Sequence, residues 1–158
     1  MKHESLKSRL GRRLLRSGFV AGLIKRATRR SPLTPPDRIA LEFQLDLIQQ
    51  MYVGQGERVI WANAMVPAEL IWGLGLVPFY PEIASAIGAG LGLGPRGLAQ
   101  ASEAHYALDL CTFHRNTVGL RRMGLLPGAA AYVCTTNLCD VAGQIFAGFA
   151  YQEGKPFY

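Results

Sequence analysis

The sequence predicts an α/β protein: a three-layer, Rossmann-like or flavodoxin-like domain with a mostly parallel sheet of about four strands, preceded by a basic helical arm. Two observations support this prediction. Short runs of β-branched and aromatic residues alternate with longer segments of helical periodicity, and 158 residues with 49% hydrophobic content are enough for one domain with its own core. We assign residues 1–34 to the arm and a proline-rich linker, and residues 35–158 to a single α/β domain.

Three apolar runs are the predicted strands, at residues 58–62, 76–80 and 129–133. Helices are predicted around them, over residues 36–53, 67–74, from 81 onwards, 98–108, 112–123 and 141–150. Five glycines between residues 88 and 97 predict a loop at that point. Because a helix precedes this loop and no Gly-Lys-Ser or Gly-Lys-Thr occurs, a nucleotide phosphate loop is not expected.

Charge is distributed unevenly along the chain. Residues 1–30 hold ten Lys or Arg and one Glu, a net charge of +9, whereas residues 31–158 hold seven basic and ten acidic residues, a net charge of −3. Since the basic charge is confined to one arm, a nucleic-acid-binding surface is not expected. Leu6, Leu10 and Leu14 recur at spacing four among arginines, which predicts an amphipathic basic helix. Two interpretations stay open: contact with an acidic partner subunit or a membrane surface, and a solvated extension.

The sequence shows no secretory or membrane-spanning pattern. No run of about 18 apolar residues could cross a bilayer, and the apolar run after Arg12-Arg13 is interrupted at Lys25 with no small-residue cleavage site after it. Three cysteines, an odd number without a secretory signal, favour a reducing compartment. We therefore expect a cytoplasmic protein without a transmembrane segment.

Two of the cysteines lie where an open parallel sheet usually carries its chemistry. Cys139 follows a predicted strand and a Thr-Thr-Asn turn, and comes at or just before a helix, where free N–H groups favour a thiolate. Cys111 opens its own helical segment, so the two sulfurs are expected to converge at the carboxyl ends of neighbouring strands. Two such thiolates suggest a metal or an iron–sulfur cluster. A structural zinc is disfavoured because no Cys-x-x-Cys pair is present. Cys134, at the end of the third strand run, is expected to point into packing.

Three further side chains are weaker candidates. His114 lies three residues after Cys111, near enough to share its helix face as a ligand or proton donor, although a partly exposed helix residue is the simpler expectation. Asp140 is expected to cap the helix that follows Cys139. Glu69 lies in the first turn of a helix at the mouth of the presumed crevice, where a dipole-favoured surface carboxylate is expected.

The chain resembles the 2-hydroxyacyl-CoA dehydratases and the related benzoyl-CoA reductase subunits over residues 57–158. Three motifs occur in the order found in that family. They are Val66-Pro67-Ala68-Glu69-Leu70-Ile71 with Gly75-Leu76-Val77-Pro78, then Leu110-Cys111-Thr112-Phe113 with Arg115 and Gly119, and last Thr135-Thr136-Asn137-Leu138-Cys139-Asp140.

The resemblance implies a definite chemistry. Family members carry a 4Fe-4S cluster held by three cysteines in each large subunit, and Cys111 and Cys139 match two of those ligands. In the dehydratases one iron meets the thioester carbonyl of an acyl-CoA. One electron from a separate ATP-dependent iron–sulfur activator protein then drives radical elimination of water. The implied partners are the acyl-CoA substrate, that activator and a second dehydratase subunit. The position of Glu69 in the first family motif implies a role in orienting the substrate or an open cluster site. Whether a flavin is also bound stays open.

The third cluster ligand of the family lies in a second α/β domain that residues 1–158 do not include. The 158-residue chain is therefore expected to be inactive alone, either as a subunit or as a fragment of a lyase. Two alternatives remain: a benzoyl-CoA-reductase-type subunit, and a non-catalytic split homologue that binds a partner chain.

Overall fold

A computed structural model describes residues 34–52, 56–137 and 139–158, together with Gly22 and Arg26. The predicted basic arm therefore lies almost entirely outside the described residues. In the described part of the chain, helices connect the strands from the first strand onwards, one between the first and second strands and three between the second and third. The alternation that the sequence predicts is thus interrupted by this three-helix connection.

The sheet is parallel. Its strands are β1 (Val59–Ala62), β2 (Val77–Phe79) and β3 (Ala131–Val133), in the order β2-β1-β3. The chain end extends it by a single parallel bridge from Tyr132 to Phe157. The three-layer α/β prediction is confirmed, with a sheet of three strands and this bridge among the described residues.

Six helices are seen in the described ranges. They are α1 (Pro35–Tyr52), α2 (Ala68–Gly73), α3 (Pro81–Gly90), α4 (Gly94–Glu103), α5 (Thr112–Arg122) and α6 (Asp140–Glu153). The chain moves outward from β1 to β2 and then crosses back to add β3 on the other side of β1. Because such crossovers are right-handed, the reversal puts α2 on one face of the sheet and α3 to α6 on the other.

The two faces hold separate apolar clusters, and β1 contributes to both because successive side chains alternate. Val59 and Trp61 pack in the larger cluster with Phe146 and Phe149 of α6. Ile60 and Ala62 pack in the smaller cluster with Ile71 of α2 and Val66 of the preceding loop. Trp61 lies at the centre of the larger cluster, with its ring centroid 5.0 Å from that of Phe79 and 5.6 Å from that of Tyr132.

The glycine-rich stretch differs from the prediction. It was expected to be a loop followed by a helix over 98–108, but most of it is helical, and α4 runs over Gly94–Glu103. Pro95 starts α4 at its first turn. The turn between α3 and α4 is short and uses Gly92, whose φ of +77° suits glycine. The helix ends early because His105 takes a left-handed conformation.

None of the helices within the described ranges is both long and apolar enough to cross a membrane.

Candidate functional site

Four segments meet at the carboxyl edge of the sheet. Asn63 follows β1, Glu82 lies in the first turn of α3 after β2, and His114 lies in the first turn of α5. Cys134 and Cys139 flank the turn that joins β3 to α6. Because β3 follows α5 in the chain and runs parallel to β1, α5 begins at this carboxyl edge and runs back toward the amino edge of the sheet. The edge is therefore where the chain brings its thiol, imidazole and carboxyl groups together.

Cys139 is the residue at the N-cap of α6, as the sequence predicts, with an extended backbone and no side-chain capping bond. It is half-buried. Its sulfur lies 3.4 Å from Nε2 of His114, within hydrogen-bonding range for sulfur. Asp140, predicted as the cap, is instead the first residue of the helix, and Cys139 takes the cap position because its backbone is still extended.

His114 is buried, with 3% of its surface exposed, and the expectation of a partly exposed residue is wrong. Burial lowers its pKa from the usual value of 6.5, so the imidazole is neutral at neutral pH. Its Nδ1 atom is buried without a hydrogen-bond partner among the described residues. A neutral imidazole can either donate from Nε2 to a sulfur anion or accept from a thiol there.

The burial of His114 follows from how α5 packs. Asn116 donates from Nδ2 to the backbone oxygen and to Oγ of Ser85 in α3, each at 3.0 Å. Arg115 donates to Oγ of Ser102 in α4 at 2.8 Å. Because Ser85 and Ser102 on the two neighbouring helices supply hydrogen-bond partners, the polar side chains in the first turns of α5 are buried. The sequence could not show this, because α5 looks polar when it is considered alone.

Cys111 is the residue at the N-cap of α5, again as predicted, and it is exposed. In the described ranges no group of three His, Cys, Asp or Glu side chains is placed to hold a metal ion. The donor set is suited to iron in kind, because Cys139 offers a half-buried sulfur and Cys111 an accessible one. Two cysteines are too few to complete the ligands of such a site.

Cys134 differs from the other two thiols. It directly follows β3 and packs against the larger apolar cluster, in agreement with the expectation that it points into packing. Its Sγ–H donates to the backbone oxygen of Thr135 at 3.4 Å. Burial raises the pKa of this thiol to about 11, helped by the nearby Glu82 and Cys139. Cys134 is therefore a neutral thiol at neutral pH.

Glu82 is a site residue that sequence reasoning missed. Burial raises its pKa above 4.5, although backbone hydrogen bonds at Glu82 and Ala64 offset part of this effect. Its Oε2 atom is buried with no partner among the described residues. A carboxyl group in such a place keeps its proton to higher pH than usual. The signal was present, since Pro81-Glu82 ends a strand and begins a helix, which is the same arrangement that drew attention to Glu69.

Glu69 lies in the first turn of α2, as predicted, and is exposed. Its charge is felt by Tyr80, whose pKa is raised by burial first and then by Glu69 and Glu82. The Tyr80 hydroxyl donates to the backbone oxygen of Val66 at 2.8 Å. Glu69 thus lies near the same edge as Glu82, but in water.

An open groove of about 390 Å³ runs along the start of α6 beside the Cys139 turn. Its lining combines polar groups with a small apolar patch: Thr136, Asp140, Gly143, Gln144, Ala147 and Phe157. The groove places space for a ligand next to the turn that carries Cys139.

The family model for the D-component of 2-hydroxyglutaryl-CoA dehydratase (HGD-D) matches residues 63–158. The chain belongs to this family. The matched range holds every candidate residue of the carboxyl edge, from Asn63 to Cys139, and confirms the resemblance seen in the sequence. No curated protein matches the sequence. The chain is thus a dehydratase-type subunit by family.

Proposed function

We propose that the chain is a subunit, or part of a subunit, of a 2-hydroxyacyl-CoA dehydratase, a lyase that removes water from a 2-hydroxyacyl-CoA by radical elimination. The match of the HGD-D family to residues 63–158 carries this proposal. The pairing of Cys139 with His114 supports it, because it puts a half-buried cysteine sulfur and an imidazole together at the carboxyl edge of the sheet.

Cys111 and Cys139 are the proposed ligands of a 4Fe-4S cluster, and the remaining cysteine ligand would come from another polypeptide segment. When bound, the cluster would supply an electron, after one-electron activation by an ATP-dependent iron–sulfur activator protein, and an open iron for the thioester carbonyl. His114 Nε2 would donate a hydrogen bond to the sulfur of Cys139 and lower its negative charge.

Glu82 is the proposed acid of the edge. Burial raises its pKa above the usual value, so it keeps its proton to higher pH than an exposed carboxyl group does. It would give this proton to the leaving hydroxyl group, so that water departs and a carboxylate remains. Glu69, exposed in the first turn of α2, is proposed to orient the substrate at the mouth of the site. The acyl-CoA would enter beside the groove along α6.

The ligand assignment is tested by anaerobic reconstitution of the purified chain with iron and sulfide, with iron per chain and visible absorption as readouts. Cys111→Ser and Cys139→Ser should each lose most of the bound iron, because each removes a thiolate. Cys134→Ser is the matched control and should bind as much as the wild type, since its thiol stays protonated and packed. Iron content unchanged in all three variants would contradict the assignment.

A second candidate is a non-catalytic split homologue that supplies half of a cluster interface to a partner chain. It shares with the first candidate the incomplete metal site of the described residues, and the basic residues 1–30 would be its docking element. Stable cluster binding by the chain alone would argue against it. Iron retained only when a second dehydratase subunit is added, without turnover of acyl-CoA, would favour it over the enzyme.

A further inference from the structure

A buried amide joins two neighbouring strands just beyond the end of their ladder. Ala62 of β1 is paired with Val133 of β3, and the next residue of β1, Asn63, is only 3% exposed. Its Nδ2 donates to the backbone oxygen of Thr135 at 2.9 Å, and its Oδ1 accepts from the backbone N–H of Thr135 at 3.1 Å. The side chain thus satisfies both backbone groups of one residue.

Further contacts strengthen this two-sided bond. The Thr135 hydroxyl lies 3.3 Å from both Oδ1 and Nδ2 of Asn63. The Asn63 amide therefore makes the same pair of hydrogen bonds that a backbone peptide group makes in a sheet. This pair adds one more rung of hydrogen bonds between β1 and β3, beyond the point where the two backbones separate. Because the amide is buried, water cannot easily replace either partner if the bond is broken.

The position of this rung determines where the turn to α6 leaves the sheet. Thr135 is four residues before Cys139 and directly after Cys134. Between the rung and α6 lie only three residues and the cap, so a shift of Thr135 is passed on to the Cys139 sulfur. That sulfur has to meet His114 Nε2, on a helix that is held independently by Ser85 and Ser102.

We propose that Asn63 is a positioning residue for Cys139: by clamping Thr135 to the end of β1, it keeps the Cys139 turn closed on His114. The clamp itself requires no cluster. Its importance for function rests on the proposed role of Cys139 as a cluster ligand. Asn63 touches no substrate or cluster atom in this scheme and acts through Thr135 alone.

The test measures how fast the Cys139 thiol reacts with 2,2′-dipyridyl disulfide, which works in acid as well as at neutral pH. It is done in the Cys111→Ser/Cys134→Ser background, or with Cys134→Ala if the first background does not fold. In that background Asn63→Ala should react about 5- to 30-fold faster than unmodified Asn63, because losing the clamp lets the turn open more often. Ile71→Val is the matched control: it removes a buried methylene group from the other face and should leave the rate unchanged.

Asn63→Asp separates positioning from general loosening. A protonated carboxyl group has one donor and one acceptor, as the amide has, whereas the carboxylate has only acceptors. The rate ratio of Asn63→Asp to unmodified Asn63 should therefore fall toward one as the pH is lowered through the pKa of the new carboxyl group, while the ratio for Asn63→Ala stays high. Because unmodified Asn63 is measured at each pH, the effect of pH on the reagent is divided out of this ratio.

Equal rates for Asn63→Ala and unmodified Asn63 would overturn the proposal, and so would an equal increase in Ile71→Val or a ratio for Asn63→Asp that does not change with pH. None of these readouts uses iron or turnover. A chain that binds no cluster can still show the clamp, and a chain without the clamp can still bind a cluster, so the two proposals fail independently.

Discussion

At the scale of single residues, the burial of His114 makes the free energy of unfolding depend on pH. Burial holds its pKa below 6.5 in the fold, so the unfolded chain takes up a proton at a pH where the folded chain does not. The free energy of unfolding should therefore fall as the pH is lowered below about 6.5, and level off below the folded-state pKa. Each unit of pKa difference corresponds to about 1.4 kcal/mol.

His114→Gln should remove this loss of stability in the metal-free chain. Urea unfolding at a series of pH values between 5 and 8 measures it. Ile71→Val is the control, because it lowers stability without removing a titratable group, so its curve should run parallel to that of the wild type. Parallel curves for the wild type and His114→Gln would show that the imidazole is not held neutral by burial.

His105 is the one non-glycine residue of the described ranges with positive φ, at 62°. It ends α4: its N–H bonds to the oxygen of Ser102 at 2.9 Å and that of Tyr106 to the oxygen of Ala101 at 3.1 Å, the pattern of a helix C-terminus that usually ends in glycine. His105→Gly should raise the free energy of unfolding by roughly 0.5–1 kcal/mol, since relief of the left-handed strain exceeds the entropy cost of glycine. Ala104→Gly, one residue earlier at φ −89°, should lower it instead, and thermal unfolding compares the two.

At the scale of elements, α4 and α5 approach each other through glycine. A Cβ atom on Gly119 would lie 1.9 Å from the backbone oxygen of Gly97. Gly119→Ala should therefore destabilise the protein by about 1–3 kcal/mol, because the helices must separate. The control is Gly148→Ala in α6, where a new Cβ meets nothing within 4 Å, and which should stabilise by about 0.5–1 kcal/mol. Equal effects in urea unfolding would show that the close approach is not tight.

The same glycines show what the sequence could and could not predict. Apolar β-rich runs located all three strands to within two residues, because a buried parallel strand must be apolar along its length. The glycines at 88–97 were interpreted as loop, since propensity alone disfavours them in helices. Gly97 is needed because Asn116 lies where its Cβ would be, and that pairing comes from tertiary packing. The positions of Cys111 and Cys139 at the starts of helices were predictable from the local order of strand, turn and helix, whereas the burial of His114 and Glu82 depended on neighbours far along the chain.

At the scale of the whole molecule, a polar bracket joins one strand and two helices on the larger face. Glu153 at the end of α6 accepts from the Tyr132 hydroxyl at 2.6 Å and pairs with Arg121 of α5. The Arg121 guanidinium also lies 4.1 Å from the ring centroid of Phe149. Burial and this carboxylate raise the pKa of Tyr132, so its hydroxyl remains a donor.

Glu153→Gln should lower the free energy of unfolding by about 1–2 kcal/mol, because the charge-assisted bonds to Tyr132 and Arg121 are weakened together. Glu57→Gln, at an exposed position before β1, is the control and should change it by less than about 0.5 kcal/mol. Chemical unfolding at neutral pH measures both variants. A loss no larger than that of the control would mean that the bracket is solvated rather than structural.

The sequence separation of the paired strands also indicates the order in which they form during folding. β1 and β2 pair residues 18 positions apart, as in Val59 with Val77, whereas β1 and β3 pair residues 71 positions apart, as in Ile60 with Ala131. Closing the longer loop costs more chain entropy, and contacts of high sequence separation slow folding. The β1–β2 unit and the α3 to α5 hairpins can therefore form before β3 inserts beside β1. Until that step Cys139 has no His114 to contact and Cys134 has no completed apolar cluster to pack against, so both thiols are accessible during folding, and that interval is when oxidation of either would do most harm.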